Sequence, residues 1–462
     1  MNKEANTENA RTLAAALGIA EEKALELLSV TVAITYDASD TISVLFAGHV
    51  SKMVSRTIER VVLNGQGDSQ KIAVELVIGS AEPKFATAHL FAAIGSNEVL
   101  IGHVPLALTI PSIHPVGILL GACYAVGAIL KKAFNELLPF PSAQTLRINL
   151  AELLGNDLAL LDSEVAFDEA YLAGAGAIGN GFIYGLSQFR ASGLLQVVDD
   201  DAVSKGNLQR CIYFSDKHVG SPKSDILCEV ISTVLPGIKA VPHKMRLQDV
   251  PAKKAGAWLK RLIVGVDSPR ARRSLQSEIP GEVFDASTTG ISEVVLHFNR
   301  QPTELACMGC IYYESPEEHA HEHHVADTLG VSIDDVRRER ISPEAAKVIH
   351  LRNPQIPVSE LEGLAYDTLF KRLCSTGKLM TAEGRQVLAP FAFVSVLAGT
   401  LLAIEFVRRI HNRTGDLFNE WHVSPWTNPV MRCRHVLRSN SNCEFCGNEV
   451  IARVARGLWL PS

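Results

Sequence analysis

The sequence lacks a basic excess. Its 44 lysines and arginines stand against 50 aspartates and glutamates, a net charge of −6, and no basic block interrupts that balance. A protein that binds nucleic acid regardless of sequence needs many cations along one surface, so no nucleic-acid partner is expected. The chain also lacks an apolar leader. The opening stretch MNKEANTENARTLAAALGIAEEKALELL is charged throughout and reads as a polar tail running into a helix, which points to the cytoplasm. A disulfide framework is missing too. Nine cysteines among 462 residues, with no secretory signal, read as reduced thiols. Long apolar runs are few. HPVGILLGACYAVGAILKK is short for a bilayer span. LAPFAFVSVLAGTLLAIEFVRR is long enough but carries Glu405 and lies between two cysteine pairs that a span would separate, so it reads as a buried helix. No membrane association is expected.

What is present is a folded chain, 47% hydrophobic and 20% charged, too long for a single ordinary core. From about Thr31, β-type runs such as KIAVELVIG and TLRINL alternate with helical patterns, VSKMVSRTIERVV and GILLGACYAVGAILKKAFNELL among them. A boundary is expected near residue 160, between a first α/β domain (1–160) and a second domain (161–462). The first domain holds no nucleotide signature; its nearest approach to a phosphate loop is VLFAGHVSKM, with the single glycine Gly48.

The second domain opens with YLAGAGAIGNGFIYGLSQFRASGLLQVVDDD. Gly174, Gly176 and Gly179 form G-x-G-x-x-G after an apolar run, the pattern of a tight strand-to-helix turn whose backbone N–H groups approach a phosphate. Asp199 follows the apolar run Leu194–Val198, where an acid can hold a ribose hydroxyl. Taken alone, this unit fits NAD, FAD or ATP equally. The next residues add Asp201, then Asn207, Gln209 and Arg210, then Lys223. A dinucleotide needs no such convergence of cations, whereas a triphosphate does. Asp267, after the strand-like LIVGV, is placed to bind Mg²⁺, which takes one or two carboxylates plus phosphate oxygens.

GAGAIG, VDDDxV, GNLQR, GSPK and GVDS together resemble the adenylation domain shared by ThiF, MoeB and ubiquitin-activating enzymes, over roughly residues 165–312 and 385–455. The resemblance implies an α/β architecture: a Rossmann-like adenylation domain with a zinc knuckle and a crossover-loop insert, preceded by an inactive adenylation-like α/β domain. It implies that the C-terminal carboxylate of a ubiquitin-like protein attacks the α-phosphate of ATP. Asp199 would hold the ribose, Asn207, Arg210 and Lys223 the phosphates, and Asp267 the Mg²⁺. Gly206 departs from the serine common in relatives at that place. Relatives also contribute an arginine from the opposite half, for which Arg11, Arg56 and Arg60 are unranked candidates.

Two C-x-x-C pairs, Cys307/Cys310 and Cys443/Cys446, have the ligand types of a structural Zn²⁺ site; the resemblance makes their pairing across a long stretch of chain credible. It also places a thioester-forming cysteine in the polar insert 314–385, where Cys374 follows Lys371 and Arg372, cations that favour a thiolate. Cys123, Cys211, Cys228 and Cys433 read as packing residues, with Cys433 next in line as nucleophile. His319, His321, His323 and His324 read as part of a solvated acidic loop. No rhodanese-like or ubiquitin-fold module is expected after Ser462.

The sequence thus implies ATP-dependent activation of a ubiquitin-like protein, thioester formation at Cys374 and transfer to a conjugating enzyme. It looks most similar to activating enzymes of bacterial ubiquitin-like conjugation operons linked to antiphage defence; homo-oligomerisation is permitted. Two rivals stay open: a sulfur-carrier adenylyltransferase that needs no stable thioester, and a nucleotide-binding protein with no acyl transfer.

Overall fold

The computed structural model describes residues 3–65, 72–106, 112–141, 143–154, 158–251, 256–314, 316–338, 340–364, 366, 369–370, 373, 389–411, 418–429 and 433–460. The fold is mixed α/β. Strands β1 (Thr31–Thr35), β2 (Arg60–Leu63), β3 (Ile72–Ile78), β4 (Ala88–Ile94), β5 (Glu98–Gly102) and β6 (Thr145–Asn149) make one sheet in the order β2-β1-β3-β4-β5-β6. Its first four neighbours run parallel and the last two pairings are antiparallel.

The second sheet has eight strands: β7 (Val165–Ala173), β8 (Ala191–Val198), β9 (Ile238–His243), β10 (Arg261–Val264), β11 (Glu282–Thr289), β12 (Glu293–Arg300), β13 (Glu420–Val423) and β14 (Arg434–His435), ordered β14-β13-β12-β11-β10-β7-β8-β9. β7 pairs in parallel with both β8 and β10. Its last four residues, Ala170–Ala173, are all buried, as befits a parallel strand covered on both faces.

The covering helices explain the apolar runs. Helix Ala392–Ile410 is buried from Ala392 to Arg408 and packs on helix Ala177–Leu186. The two cross so closely that a Cβ on Gly399 would lie 2.1 Å from the Gly181 carbonyl carbon. Glu405 is tolerated there because the Arg408 guanidinium donates to it at 2.8 Å, consistent with the rule that buried charges are paired. Helix Pro115–Ala133 has the length and apolarity of a bilayer span, yet 89% of that window is buried inside the protein. A single hydrophobic core runs through both sheets.

One local expectation changes here. The helical pattern read over VSKMVSRTIERVV belongs to helix Thr41–Val54, which begins earlier, at the Asp40 cap, and stops at Ser55. Val61 and Val62 continue the apolar spacing only by coincidence: they are β-branched and pair with β1 as the edge strand β2. VLFAGHVSKM accordingly lies inside that helix.

Residues Tyr313–Leu388 form a second compact unit. Its described residues show that the polar insert is largely helical. Helices Pro316–Leu329, Ile333–Arg337, Pro343–Arg352 and Val358–Leu361 enclose a core that includes Val325, Leu329, Ile349, Leu361 and Phe370. The four histidines sit on the first of these helices rather than in a solvated loop. The rings of His321 and His324 meet Phe370 edge-on at 4.8 and 5.9 Å, an aromatic contact that a tally of polar letters conceals. Cys374, Lys371 and Arg372 lie outside the described residues.

Candidate nucleotide site and cysteine cluster

β7 ends at Ala173 and helix Ala177–Leu186 begins four residues later, so Gly174, Ala175 and Gly176 fill the gap between them. Gly174 has a φ of +98°, and a Cβ there would lie 2.8 Å from the Gly265 carbonyl. Gly179 lets the helix descend onto the loop, since its Cβ would stand 2.2 Å from the Gly174 oxygen. Gly176 caps the helix with open space where its Cβ would be. The loop is thus closed beneath and open above, which leaves room at the helix N-terminus for an anion.

Asp199 leaves the end of β8 beside that opening. Its Oδ2 accepts the Ala175 N–H at 2.7 Å and its Oδ1 accepts the Asp201 N–H at 2.9 Å, which fixes the carboxylate while leaving each oxygen a further lone pair. Burial raises the Asp199 pKa, against the pull of Lys223. Lys223 opens helix Lys223–Val234 and is buried. Its ammonium lies 2.7 Å from Asp201 Oδ2 and 4.0 Å from Asp199 Oδ1. Burial opposes its charge, but the two carboxylates more than compensate and hold its pKa above the ordinary value.

Asn207 and Arg210 occupy the turn between β8 and that helix. The Asn207 Oδ1 accepts the Ser204 N–H at 3.0 Å and closes a capping box with Ser204 around the short helix Lys205–Asn207. Arg210 donates to the Gly206 carbonyl at 3.0 Å. Nearby, burial raises the pKa of the Cys211 thiol, while the charges of Arg210, Lys223 and Arg56 pull it back down. Helix Lys3–Leu17 packs beside the Lys205–Asn207 turn; on it Arg11 pairs with Glu8 at 3.2 Å and Glu21 at 3.6 Å. Arg56 is spent on backbone carbonyls, and Arg60 is exposed on β2.

Asp267 follows β10 and immediately precedes Ser268, the cap of helix Pro269–Gln276. Its loop abuts the glycine loop through the close Gly174–Gly265 approach. Beneath it lies a network that sequence reading misses. Arg272 is buried against Asp285, and Tyr312 donates to Asp285 Oδ2 at 2.6 Å. Nothing distinguishes Arg272 from the other arginines of PRARR except its place on the inner face of that helix.

The four knuckle cysteines meet. Sγ separations are 4.0 Å for Cys307–Cys310, 3.6 Å for Cys307–Cys443 and 3.3 Å for Cys310–Cys446, and all four sulfurs lie within 4.8 Å of one another. Zinc–thiolate bonds of about 2.3 Å in a tetrahedron require sulfurs about 3.8 Å apart, so the cluster fits Zn²⁺. The Asn440 N–H donates to Cys310 Sγ at 3.3 Å, the kind of contact that orients a ligand. The remaining described cysteines match their reading as packing residues: Cys123, Cys211 and Cys228 are buried and Cys433 is half-buried.

A family model described as the ThiF family matches residues 163–445, and one described as the E1 N-terminal domain matches residues 2–153. The uncharacterized protein y4jF of Sinorhizobium fredii is 24% identical over 359 residues, 72% of this chain and 67% of that one. The NEDD8-activating enzyme E1 catalytic subunit of Dictyostelium discoideum is 34% identical over 102 residues, 22% of each chain. The SAMP-activating enzyme E1 of Haloferax volcanii is 27% identical over 150 residues, 32% of this chain and 54% of that one. The matched stretch therefore covers only 22% and 54% of these two activating enzymes. Among solved structures, Escherichia coli MccB with ATP aligns with a TM-score of 0.38 at 12% identity, over 78% of this chain and 98% of that one.

Proposed function

The chain belongs to the ThiF family, and from that premise we propose that it uses ATP to activate the C-terminal carboxylate of a ubiquitin-like protein. The observation that carries this reading is the open helix N-terminus at Gly176, flanked by the fixed Asp199 carboxylate and the buried Lys223 ammonium.

Asp199 would accept hydrogen bonds from ribose hydroxyls through its spare lone pairs. Asn207, Arg210 and Lys223 would neutralise the phosphates, Lys223 leaving Asp201 to do so. Asp267 would be a carboxylate ligand for Mg²⁺, which supplies charge neutralisation along the phosphate chain. In the first step a carboxylate oxygen of the partner attacks the α-phosphorus and pyrophosphate leaves, giving an acyl adenylate. In the second, the Cys374 thiolate attacks the acyl carbon and AMP leaves, giving a thioester that a conjugating enzyme then accepts. The four cysteines would hold a structural Zn²⁺ outside both steps.

Cys374→Ala tests the sequence of steps. With ATP, Mg²⁺ and the cognate ubiquitin-like protein, the wild type should form an adduct that thiol reductants cleave. Cys374→Ala should keep partner-dependent pyrophosphate exchange and lose that adduct. An adduct that persists in the variant moves the nucleophile elsewhere, with Cys433 the next to substitute. Exchange with no adduct in the wild type turns the reading to sulfur-carrier chemistry. Neighbouring genes for a conjugating enzyme and an isopeptidase would favour conjugation.

A further inference from the structure

The helix Thr41–Val54, which belongs to the first sheet, aims one face at the segment carrying Asn207 and Arg210. His49, Lys52 and Arg56 recur along it at helical spacing, Arg56 lying just beyond the Ser55 cap. His49 Nδ1 is 2.6 Å from the Tyr184 hydroxyl. The Lys52 ammonium lies over the rings of Tyr184 and Tyr213, at 4.4 and 4.5 Å. Arg56 reaches furthest: its Nη1 donates to the carbonyls of Leu208 at 2.5 Å and Phe214 at 2.9 Å, and its Nη2 donates to Ile212 at 3.1 Å. From behind, the Asn9 side-chain amide donates to the Arg56 carbonyl at 2.7 Å.

We propose that Arg56 is a positioning residue for the nucleotide, holding the 208–214 segment in the shape that presents Asn207 and Arg210 to the phosphates. The proposal rests on the reading of those two residues given above. The segment turns too irregularly to satisfy its own carbonyls in a helix or sheet, and an unpartnered buried carbonyl costs about 1–3 kcal/mol. A planar guanidinium with five N–H groups takes three carbonyls at once, which a lysine ammonium cannot match in geometry. The segment's own side chains do not do this work: Gln209 is fully buried with neither amide atom hydrogen-bonded. Through Arg56, just past its end, the first sheet's helix would thus brace the proposed nucleotide site.

Two measurements on the full-length protein decide the matter. The first is backbone amide hydrogen exchange over residues 205–214, which needs no ligand. Arg56→Ala should speed exchange there about tenfold while the core strands β7 and β10 stay protected; Arg56→Lys should recover part of the protection, and Arg60→Ala, at an exposed site, should change nothing. The second is the Kd for ATP with Mg²⁺. Arg56→Ala should weaken binding about tenfold, the scale of coupling between neighbouring residues. The double variant Arg56→Ala/Arg210→Ala should lose less than the two single losses combined, because Arg56 acts in part through Arg210. Additive losses, or unchanged exchange in 205–214, overturn the proposal. Wild-type protein that binds no ATP would overturn the functional reading instead, and amide exchange would still decide whether Arg56 shapes the segment.

Discussion

Asp267 and His49 differ in what their substitution should reveal. Asp267 sits where β10 delivers it, beside the glycine loop, and its proposed work is done on a ligand. Asp267→Ala should therefore lower partner-dependent pyrophosphate exchange by about 10²–10³, the usual scale for losing one charge-stabilising contact in a transition state. Normal exchange in that variant removes Asp267 from the site. His49 works on the fold. Burial, together with the nearby Lys52, lowers its pKa from 6.5 to about 4, and its Nε2 has no hydrogen-bond partner. Between those values the unfolded chain binds a proton that the folded chain does not. Stability is thus lost as pH falls from about 6.5 towards 4. His49→Gln, which cannot titrate, should flatten the denaturation-midpoint curve over that interval; parallel curves for the two proteins would show that His49 contributes nothing to acid sensitivity.

At the level of elements, the cysteine pairs tie the short helix Met308–Ile311 to the loop that leads into helix Glu449–Trp459. That closing helix has few anchors of its own: Ala455 is its one fully buried residue, and Trp459 donates to the Ile279 carbonyl at 3.0 Å. A metal bridging the pairs should carry much of its attachment. Cys443→Ser should lower thermal stability and zinc content together, about one zinc per chain being expected in the wild type. Zinc-free protein of full stability would contradict this. These elements also show what the sequence makes legible. The glycine loop, the acid after β8 and the C-x-x-C pairs are local patterns whose spacing alone reports the geometry required. The Arg56 contact is not local: it joins positions 152 apart, and no pattern along the chain records which carbonyls an arginine will meet. The end of the helix Thr41–Val54 is hidden for a related reason, since apolar residues at i and i+4 recur across a helix end as readily as within one.

For the molecule as a whole, the two sheets repeat the same opening move, a strand, a helix and a parallel strand alongside: β1 and β2 around helix Thr41–Val54, then β7 and β8 around helix Ala177–Leu186. Their helix N-termini diverge. At the second, Gly176 offers no side chain. At the first, the Asp40 carboxylate takes the N–H groups of Ile42 and Ser43, at 3.1 and 3.2 Å, and the Ser43 hydroxyl as well. A carboxylate there satisfies the donors that an anion would seek and repels any phosphate that approaches. Counting follows directly. Titrated with ATP and Mg²⁺, the protein should saturate at one nucleotide per chain, and a second equivalent bound would mean that the acidic cap yields. The N-terminus of the first of these helices is in effect plugged from within, while just past its other end Arg56 meets the carbonyls of the 208–214 segment.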